Sequence, residues 1–443
     1  MHTPQPSHAA HAIRASILHC LRDPGLTGDP AAIEFLSDAL VICRAGRVEH
    51  VGPADALLPM LGADVLIDDQ RGRVLVPGFI DTHVHYPQVD VIASYGAQLL
   101  DWLNRYTFPA ELAFVDAAHA AATAEFFLDR LLENGTTTAA VFCTVHPQSV
   151  DAFFTASEAH GLAMIAGKCL MDRHAPEGLT DTAEAGYRDS KALIERWHGH
   201  ARSRYAITPR FAPTSTLAQM ATMQQLAREH PDVYIQSHVA ENAAEIAWVR
   251  ELFPGHRSYL DVYDHYGLLR ERAIYAHCIH LDDADRARMT AAGATPSFCP
   301  TSNLFIGSGL YDLKQALAAG NRVSLGSDVG GGTSYSLLRT LGEAYKVQQL
   351  LGTSLSPAYA LYLATLGGAR ALSLDHELGS IAPGKAADFA LLDPRATPLL
   401  ARRTSLRDDP LDLFFALMTL GDDRAVAATY VNGRCVHRRP GPA

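Results

Sequence analysis

The chain has 443 residues, of which 48% are apolar and 19% are charged, with a formal net charge of −11 at neutral pH. This is the composition of a globular protein with ample material for a large core, although the length alone would allow about three domains. A nucleic-acid or anionic-membrane binder would need a basic surface, so the acidic balance excludes those partners.

The cysteines are odd in number, scattered and without a CxxC pair, which predicts reduced thiols in a cytoplasmic protein. Residues 1–14 contain no apolar stretch of the signal-peptide kind, and no uninterrupted apolar run approaches 18 residues. We therefore expect a protein that is neither exported nor membrane-spanning. The seven cysteines are Cys20, Cys43, Cys143, Cys169, Cys278, Cys299 and Cys435.

Both ends of the chain read as short strands separated by turns. Near the start, residues 12–20, 39–43 and 45–48 are strand-like, and Gly52-Pro53 ends the last of them. Near the end, residues 389–392 and 426–431 match them, and Asn432-Gly433 is a strong hairpin signal. We expect residues 1–76 and 380–443 to build one small β-sandwich domain.

Between these ends, buried strand-like runs alternate with helical patterns, as in residues 116–134, 182–198 and 336–351, each followed by a glycine. Eight such runs predict a parallel sheet closed into a TIM (β/α)8 barrel over residues 77–379. The runs are Leu75–His85, Thr136–Cys143, Leu162–Met171, Tyr205–Pro209, Val233–His238, Ala273–His277, Ala294–Phe298 and Arg322–Ser327.

The first of these runs ends in two histidines, His83 and His85, separated by one residue. Side chains alternate along a strand, so both imidazoles leave the same face and could hold one metal ion. A strand end with two hydrogen-bonded histidines is the ordinary alternative. Catalytic groups of a TIM barrel lie at the carboxyl ends of its strands, and the same ends supply further candidates: Arg210, Phe211, His238, Glu241, His277 and Asp328.

Five of these side chains could ligate a divalent ion of the zinc type: His83, His85, His238, His277 and Asp328. A catalytic zinc site uses three histidines, or two with a carboxylate, and keeps a position open for water. One ion therefore does not need all five. At least one should lie beside the metal and handle protons, and the spacing alone leaves open which.

Several stretches resemble the guanine deaminases, a family within the metal-dependent amidohydrolase superfamily. The resemblance covers nearly the whole barrel and implies deamination of guanine to xanthine and ammonia in purine catabolism or salvage. The one departure is His174, where near relatives should carry asparagine. The stretches are PGFIDTHVHYPQ, LLDWLNRYTFPAE, ENGTTTAAVF, LMDRHAPEGL, TPRFAPTST, SHVAEN, HCIHLDD and GSDVGGGTS.

The resemblance assigns a role to each candidate. His83, His85, His238 and Asp328 match the ligands of one zinc ion per chain, although such ligands also accept iron or manganese. Glu241 matches the proton shuttle, His277 the histidine next to the catalytic water, and Gln88, Arg210, Phe211 and His238 the purine-contacting positions. It also implies a homodimer, since barrels of this family are often dimers.

Chemical reasoning agrees with these roles. A zinc-bound water has a pKa of about 7, Asp328 can take its proton, and Glu241 can protonate the ring nitrogen next to C2 and later the departing amine. Arg210 and Gln88 can pair with the O6 edge of the purine, and Phe211 can stack on it. The ordinary structural alternatives are a surface carboxylate in the first turn of a helix for Glu241, an ion pair at the barrel rim for Arg210 and a core aromatic for Phe211.

The segment from Tyr86 to about Phe114, with Trp102, Tyr106 and Phe108, reads as an unusually long loop that could form a lid over the purine.

Other functions stay open from the sequence. A related deaminase or aminohydrolase acting on an adenine analogue, a pterin or a triazine would use the same metal ligands. A two-metal hydrolase would need a bridging lysine after the fourth strand, where Thr208-Pro209-Arg210 stands. A metal-free scaffold would not need all the ligands and the shuttle. A cytidine-deaminase type of zinc site is excluded because no PCxxC is present.

Overall fold

The protein is described here from a computed structural model, which covers residues 10–62, 65–96, 98–406 and 409–440. Its strands are β1 (His11–Cys20), β2 (Ile33–Arg44), β3 (Arg47–Pro53), β4 (Leu66–Pro77), β5 (Phe79–His85), β6 (Thr136–Phe142), β7 (Ala163–Gly167), β8 (Cys169–Leu170), β9 (Arg204–Pro209), β10 (Tyr234–Val239), β11 (Ala273–His277), β12 (Thr295–Phe298), β13 (Ser324–Leu325), β14 (Phe389–Leu392), β15 (Val426–Val431) and β16 (Arg434–Arg438).

The longer α-helices are α4 (Ala117–Glu133), α5 (Pro147–His160), α6 (Ala183–Trp197), α7 (Leu217–Glu229), α8 (Ala243–Leu252), α10 (Asp283–Ala292), α13 (Leu337–Leu350) and α17 (Pro410–Leu420). The shorter ones are α1 (Ala54–Leu57), α2 (Leu99–Trp102), α3 (Phe108–Leu112), α9 (Tyr259–His265), α11 (Pro300–Phe305), α12 (Leu313–Ala318), α14 (Pro357–Tyr362), α15 (Gly368–Ala371) and α16 (Pro398–Thr404). Across the described ranges, none of these helices combines the length and the apolar character needed to cross a membrane.

The middle of the chain forms the predicted barrel. Its eight strands run parallel in the order β5, β6, β7, β9, β10, β11, β12, β13, and the two-residue strand β8 extends the pairing with β9. Two backbone hydrogen bonds close the seam between the last strand and the first, from Asp328 N to His83 O (2.8 Å) and from His85 N to Val329 O (2.9 Å). The prediction of a (β/α)8 barrel is confirmed.

The barrel helices begin and end as their sequences predict. Asp116, Thr182 and Ser336 cap the first turns of α4, α6 and α13 by accepting backbone N–H groups two or three residues ahead. Glycines with positive φ follow each of these helices and release the chain without a Cβ clash. They are Gly135 (φ 78°), Gly199 (φ 78°) and Gly352 (φ 71°).

The two ends of the chain meet in a seven-stranded mixed sheet of order β16, β15, β14, β4, β1, β2, β3. One face of six of these strands forms an apolar core of its own, with Ile17, Val41, Leu75, Phe389 and Tyr430 among its buried members. The hairpin at residues 432–433 has the positive φ angles, 50° and 75°, of a tight turn. One sheet from both termini is confirmed, while the boundaries 1–76 with 380–443 and 77–379 stay a prediction.

The segment after β5 corrects one expectation, because most of it is helical rather than irregular. Helix α2, a π-helical turn at Leu103–Thr107 and helix α3 follow one another without a break. The buried positions 99, 102, 103, 107, 108 and 111 recur at helical spacing. Pro109 removes a backbone donor and disfavours a regular helix, and the wider turn ends two residues before it. An amphipathic helical segment therefore covers the end of the barrel at which the strands have their carboxyl ends.

Candidate active site

Four ligand-type side chains converge at the carboxyl ends of the barrel strands. His83 and His85 end β5, His238 lies near the end of β10, and Asp328 follows β13. One donor atom from each lies within 4.8 Å of all the others. The Nε2 atom of His85 is 3.3 Å from the Nε2 atoms of both His83 and His238, and Asp328 Oδ1 is 3.2 Å from His83 Nε2 and from His85 Nε2.

The protonation states of this cluster suit a cation. Burial lowers the pKa values of His83 and His238, and it lowers that of His85 to about 3, so the three imidazoles are neutral. Burial acts to raise the pKa of Asp328, but His277 and the other nearby histidines outweigh it and keep the carboxylate ionised. Three neutral imidazoles and one carboxylate make a normal donor set for zinc or another divalent metal.

His277 and Glu241 lie beside the four ligands and contact each other. His277 Nε2 is 3.2 Å from Glu241 Oε2 and 3.6 Å from Asp328 Oδ2. On its far side, His277 Nδ1 lies 2.7 Å from Asn303 Oδ1, which orients the ring. Ser308 Oγ donates a hydrogen bond of 2.8 Å to Glu241 Oε1, so Oε2 is the carboxyl oxygen that faces His277.

Glu241 is not a surface carboxylate in the first turn of a helix, which was the structural alternative. Only 2% of the residue is exposed, and it precedes helix α8, whose cap is Asn242. Burial, with the nearby Asp328 carboxylate, raises the pKa of Glu241 to about 8. Its carboxyl group can therefore carry a proton at neutral pH, as a general acid must.

A cavity that is partly open to solvent lies above the four ligand-type side chains, with about 410 Å³ of space free of protein atoms. All the predicted site residues except His83 line this cavity. They are His85, Gln88, Arg210, Phe211, His238, Glu241, His277 and Asp328. Its apolar walls are Leu99, Trp102, Leu103 and Ile306. Trp102 thus lies where a lid residue would, whereas Tyr106 and Phe108 do not line the cavity.

The polar side chains opposite the ligands form a buried network. Arg210 is 2% exposed, and its Nη1 atom donates to Glu111 Oε1 in a short ion pair. Gln88 Nε2 lies 3.4 Å from the same oxygen, and Gln88 Oε1 accepts from Gly330 N at 3.2 Å. Burial lowers the pKa of Arg210, but the Glu111 carboxylate more than offsets it and keeps the guanidinium charged.

The sequence reasoning missed three of these polar residues. Glu111 stands within a stretch that carries the family resemblance but received no role, and Asn303 and Ser308 lie in the segment after β12 that was not interpreted. Their contacts join residues 99, 26 and 67 positions apart in the chain. Spacing along the sequence gives no signal for such pairs.

The one departure from the expected pattern, His174, lies outside the cavity wall. Its backbone has a φ of 53°, a left-handed conformation in which asparagine and histidine are both enriched. Its Nδ1 atom lies 2.8 Å from Pro213 O, and its ring packs on Trp248 at 5.0 Å between centroids. Histidine is thus suited to the backbone that asparagine would adopt.

The chain is similar to several characterised proteins over nearly its whole length. Guanine deaminase of Escherichia coli (strain K12) is 48% identical over 433 residues, which cover 98% of this chain and 99% of that one. Guanine deaminase of Homo sapiens is 32% identical over 385 residues, which cover 82% of each chain.

Solved structures extend the similarity to the fold. The structure of E. coli guanine deaminase superposes with a TM-score of 0.96 and covers 97% of this chain and 100% of its own. A guanine deaminase from C. acetobutylicum with bound guanine in the active site superposes with a TM-score of 0.86, at 28% identity, and covers 97% of this chain and 100% of its own. Residues 74–436 match the amidohydrolase family. With the barrel and its cluster of three histidines and one aspartate, these matches establish that the chain belongs to the amidohydrolase family.

Proposed function

We propose that the protein catalyses the hydrolytic deamination of guanine to xanthine and ammonia, in purine catabolism or salvage. One observation carries the proposal: the cavity above the four metal-ligand side chains is lined by Arg210, Gln88 and Phe211. These groups offer donors, an amide and an aromatic face, which together suit the edge and plane of a 6-oxopurine. The similarity to guanine deaminases supports the same substrate.

We propose that His83, His85, His238 and Asp328 hold one divalent ion, with zinc as the metal and iron as an alternative. A zinc ion bound there would lower the pKa of a water molecule to about 7 and so supply a hydroxide nucleophile. The neutral imidazoles and the ionised carboxylate described above are the forms in which these residues bind a metal.

Asp328 and Glu241 divide the proton transfers between them. Asp328 Oδ1 faces His83 and His85, while Oδ2 points towards His277 and is placed to take a proton from the attacking water. Glu241, protonated at neutral pH, donates to the ring nitrogen next to C2. Glu241 is then ionised, so the proton that Asp328 took from the water passes through it to the amine, which leaves as ammonia. Glu241 regains its own proton from the hydroxyl group left on C2.

His277 orients the attacking oxygen. Asn303 holds its Nδ1 side, so that Nε2 points at the space between Glu241 and Asp328. A ring nitrogen fixed there positions the nucleophile for attack on C2, and the reaction requires no covalent intermediate with the enzyme.

Purine recognition is the role of the side chains that lie opposite the proposed metal ligands in the cavity. Arg210 keeps further N–H groups for the O6 carbonyl while Nη1 contacts Glu111, and Gln88 keeps one N–H and one lone pair. Phe211 supplies a face for stacking, and the proposed ligand His238 also lines the cavity. Adenine carries an amine instead of O6, so it would oppose donor to donor.

One experiment tests the proposal directly. Purified protein is assayed for loss of guanine, adenine, a pterin and an aminotriazine, and its metal content is measured on the same sample. We expect guanine to be deaminated with at least about 10⁴-fold preference over adenine. Preference for adenine or another heterocycle would reject guanine as the substrate but leave the metal site standing.

Two further points belong to the same proposal, one from the family resemblance and one from the cysteines. We propose a homodimer, which sedimentation velocity would test. We also propose a reducing cytoplasm as the location, supported by seven free cysteines, of which only Cys435 is exposed.

A further inference from the structure

Glu111, on helix α3, is a completely buried carboxylate that the proposed chemistry does not use. Its exposure is 0%, and it is not one of the metal-ligand side chains. Its Oε1 atom contacts both polar groups of the purine wall, Arg210 Nη1 and Gln88 Nε2. Within the part of the chain that the structure describes, its Oε2 atom has no hydrogen-bond partner. Burying a carboxylate is costly unless it is paired, so its contacts should have a consequence.

The first consequence concerns Gln88. An ionised carboxylate only accepts hydrogen bonds, so Glu111 requires the NH2 group of the Gln88 amide to face it. The amide oxygen then faces Gly330 N, which donates to it at 3.2 Å. Both contacts fix the same orientation of the amide, and with it the donor and the acceptor that remain for a substrate.

The second consequence concerns Arg210. Pairing at Nη1 fixes the plane of the guanidinium and leaves its other N–H groups for the cavity. A buried guanidinium close to a site for a divalent cation also needs a balancing negative charge. Glu111 supplies that charge from behind Arg210, away from the cavity that the purine would enter.

We propose that Glu111 is a positioning residue that sets purine specificity by fixing the donors of Arg210 and the amide of Gln88. This inference rests on the proposed function, and it adds a residue that touches neither the metal ligands nor the cavity. It also explains why the helical segment over the barrel is tied to the wall of the site: α3 delivers this carboxylate.

The test compares Glu111→Gln with a matched control, Glu377→Gln. Glu377 forms an ion pair of 3.1 Å with Arg204. Arg204 begins strand β9, and Arg210 directly follows the end of that strand. We expect Glu111→Gln to lower kcat/KM for guanine by at least about tenfold, as for a lost charged hydrogen bond. The change should lie mainly in KM, because it removes ground-state positioning. Metal content should stay as in the wild type, and the control should behave as the wild type.

A double-mutant cycle with Arg210→Met separates positioning from a general structural effect. If Glu111 acts mainly through Arg210, adding Glu111→Gln to Arg210→Met should raise KM by a clearly smaller factor than Glu111→Gln does in the wild type, because only the contact with Gln88 remains to be lost. The double variant should also melt above Glu111→Gln alone, because it no longer buries an unpaired guanidinium. Should Glu111→Gln fail to fold, Glu111→Asp, which keeps the charge but withdraws it by one methylene, takes its place in the cycle.

Two results would overturn the inference: an unchanged KM in the Glu111 variant, or effects of the two substitutions that simply multiply. Failure of the proposed function looks different, because the wild-type protein itself would not deaminate guanine. In that case the same cycle is run with whichever amino-heterocycle the wild type does turn over.

Discussion

The Nδ1 atom of His238 lies 2.6 Å from the backbone carbonyl oxygen of Arg210. A carbonyl oxygen can only accept, so the imidazole carries its proton on Nδ1 and turns the lone pair of Nε2 towards the other ligands. Arg210 thus serves the site twice, with its backbone behind the metal ligands and its side chain in the cavity wall. Substitution can separate the two roles.

Arg210→Ala should reduce kcat/KM for guanine by at least about tenfold, since a buried charged hydrogen bond is lost. Metal should stay bound, because the carbonyl group that orients His238 remains. Steady-state kinetics and metal analysis on one preparation would check both points. The control is Arg204→Ala, because Arg204 begins strand β9, which ends just before Arg210. Unchanged guanine turnover by the Arg210 variant would show that this wall does not recognise O6.

Glu241→Gln should reduce kcat by roughly 10²-fold to 10⁴-fold, because glutamine keeps the size of the side chain but cannot transfer a proton. The metal content should not change, since Glu241 is not among the four ligand-type residues. Glu251→Gln, on the exposed side of helix α8, controls for the substitution itself. Near-normal turnover would remove Glu241 from the mechanism.

His83→Ala should lose both bound metal and activity, because it deletes one of four ligands. The wild-type protein should contain about one equivalent of metal, lose activity to a chelator and regain it with Zn²⁺. The exposed His200→Ala is a suitable control for the loss of a histidine. A requirement for two equivalents during turnover would contradict the single-ion site.

The pH dependence of stability should reveal Glu245, whose pKa burial and the neighbouring Glu241 raise to about 7. Unfolded glutamate ionises near pH 4.5, so between these two values the folded state holds the extra proton. The contribution of Glu245 to the free energy of unfolding is therefore fully present below about pH 4.5 and is lost as the pH rises through about 7. This loss is on the order of 3 kcal/mol.

Denaturant unfolding of wild type and Glu245→Gln at a series of pH values, at fixed metal occupancy, would measure this effect. The difference between the two proteins should slope between about pH 4.5 and 7 and be flat on either side. A pH-independent difference would mean that Glu245 titrates at its ordinary pKa.

Sequence reasoning reached most of the fold because strand and helix patterns are local. The barrel strands, their order and the helices that begin after residues 116, 182 and 336 all follow from such patterns. The strand predicted at residues 322–327 is shorter, Ser324–Leu325, because only these two residues pair with β12. The predicted ligands meet because parallel strands end on one side of a barrel.

Local sequence patterns could not predict the helical segment that covers the site, nor the ion pair that Arg210 forms with Glu111. Pro109 argues against a helix in this segment, although the apolar spacing is otherwise regular. The segment is nevertheless helical, with a π-helical turn at Leu103–Thr107 before the proline. The ion pair from Arg210 to Glu111 depends on how that helix docks on the barrel. Docking is a property of the packed structure and leaves no mark in residue spacing.

The barrel seam carries a consequence for how the protein is made. Two of the proposed metal-ligand histidines lie on the first barrel strand and the aspartate follows the last, where Asp328 N donates to His83 O. During synthesis the chain emerges from its amino end, so the four-ligand set exists only after nearly the whole barrel has left the ribosome. We therefore expect the proposed metal to enter late, after the barrel has been synthesised. An ion held by these residues would join the two edges of the seam, and its removal should speed amide exchange in β5 and β13 more than in β7.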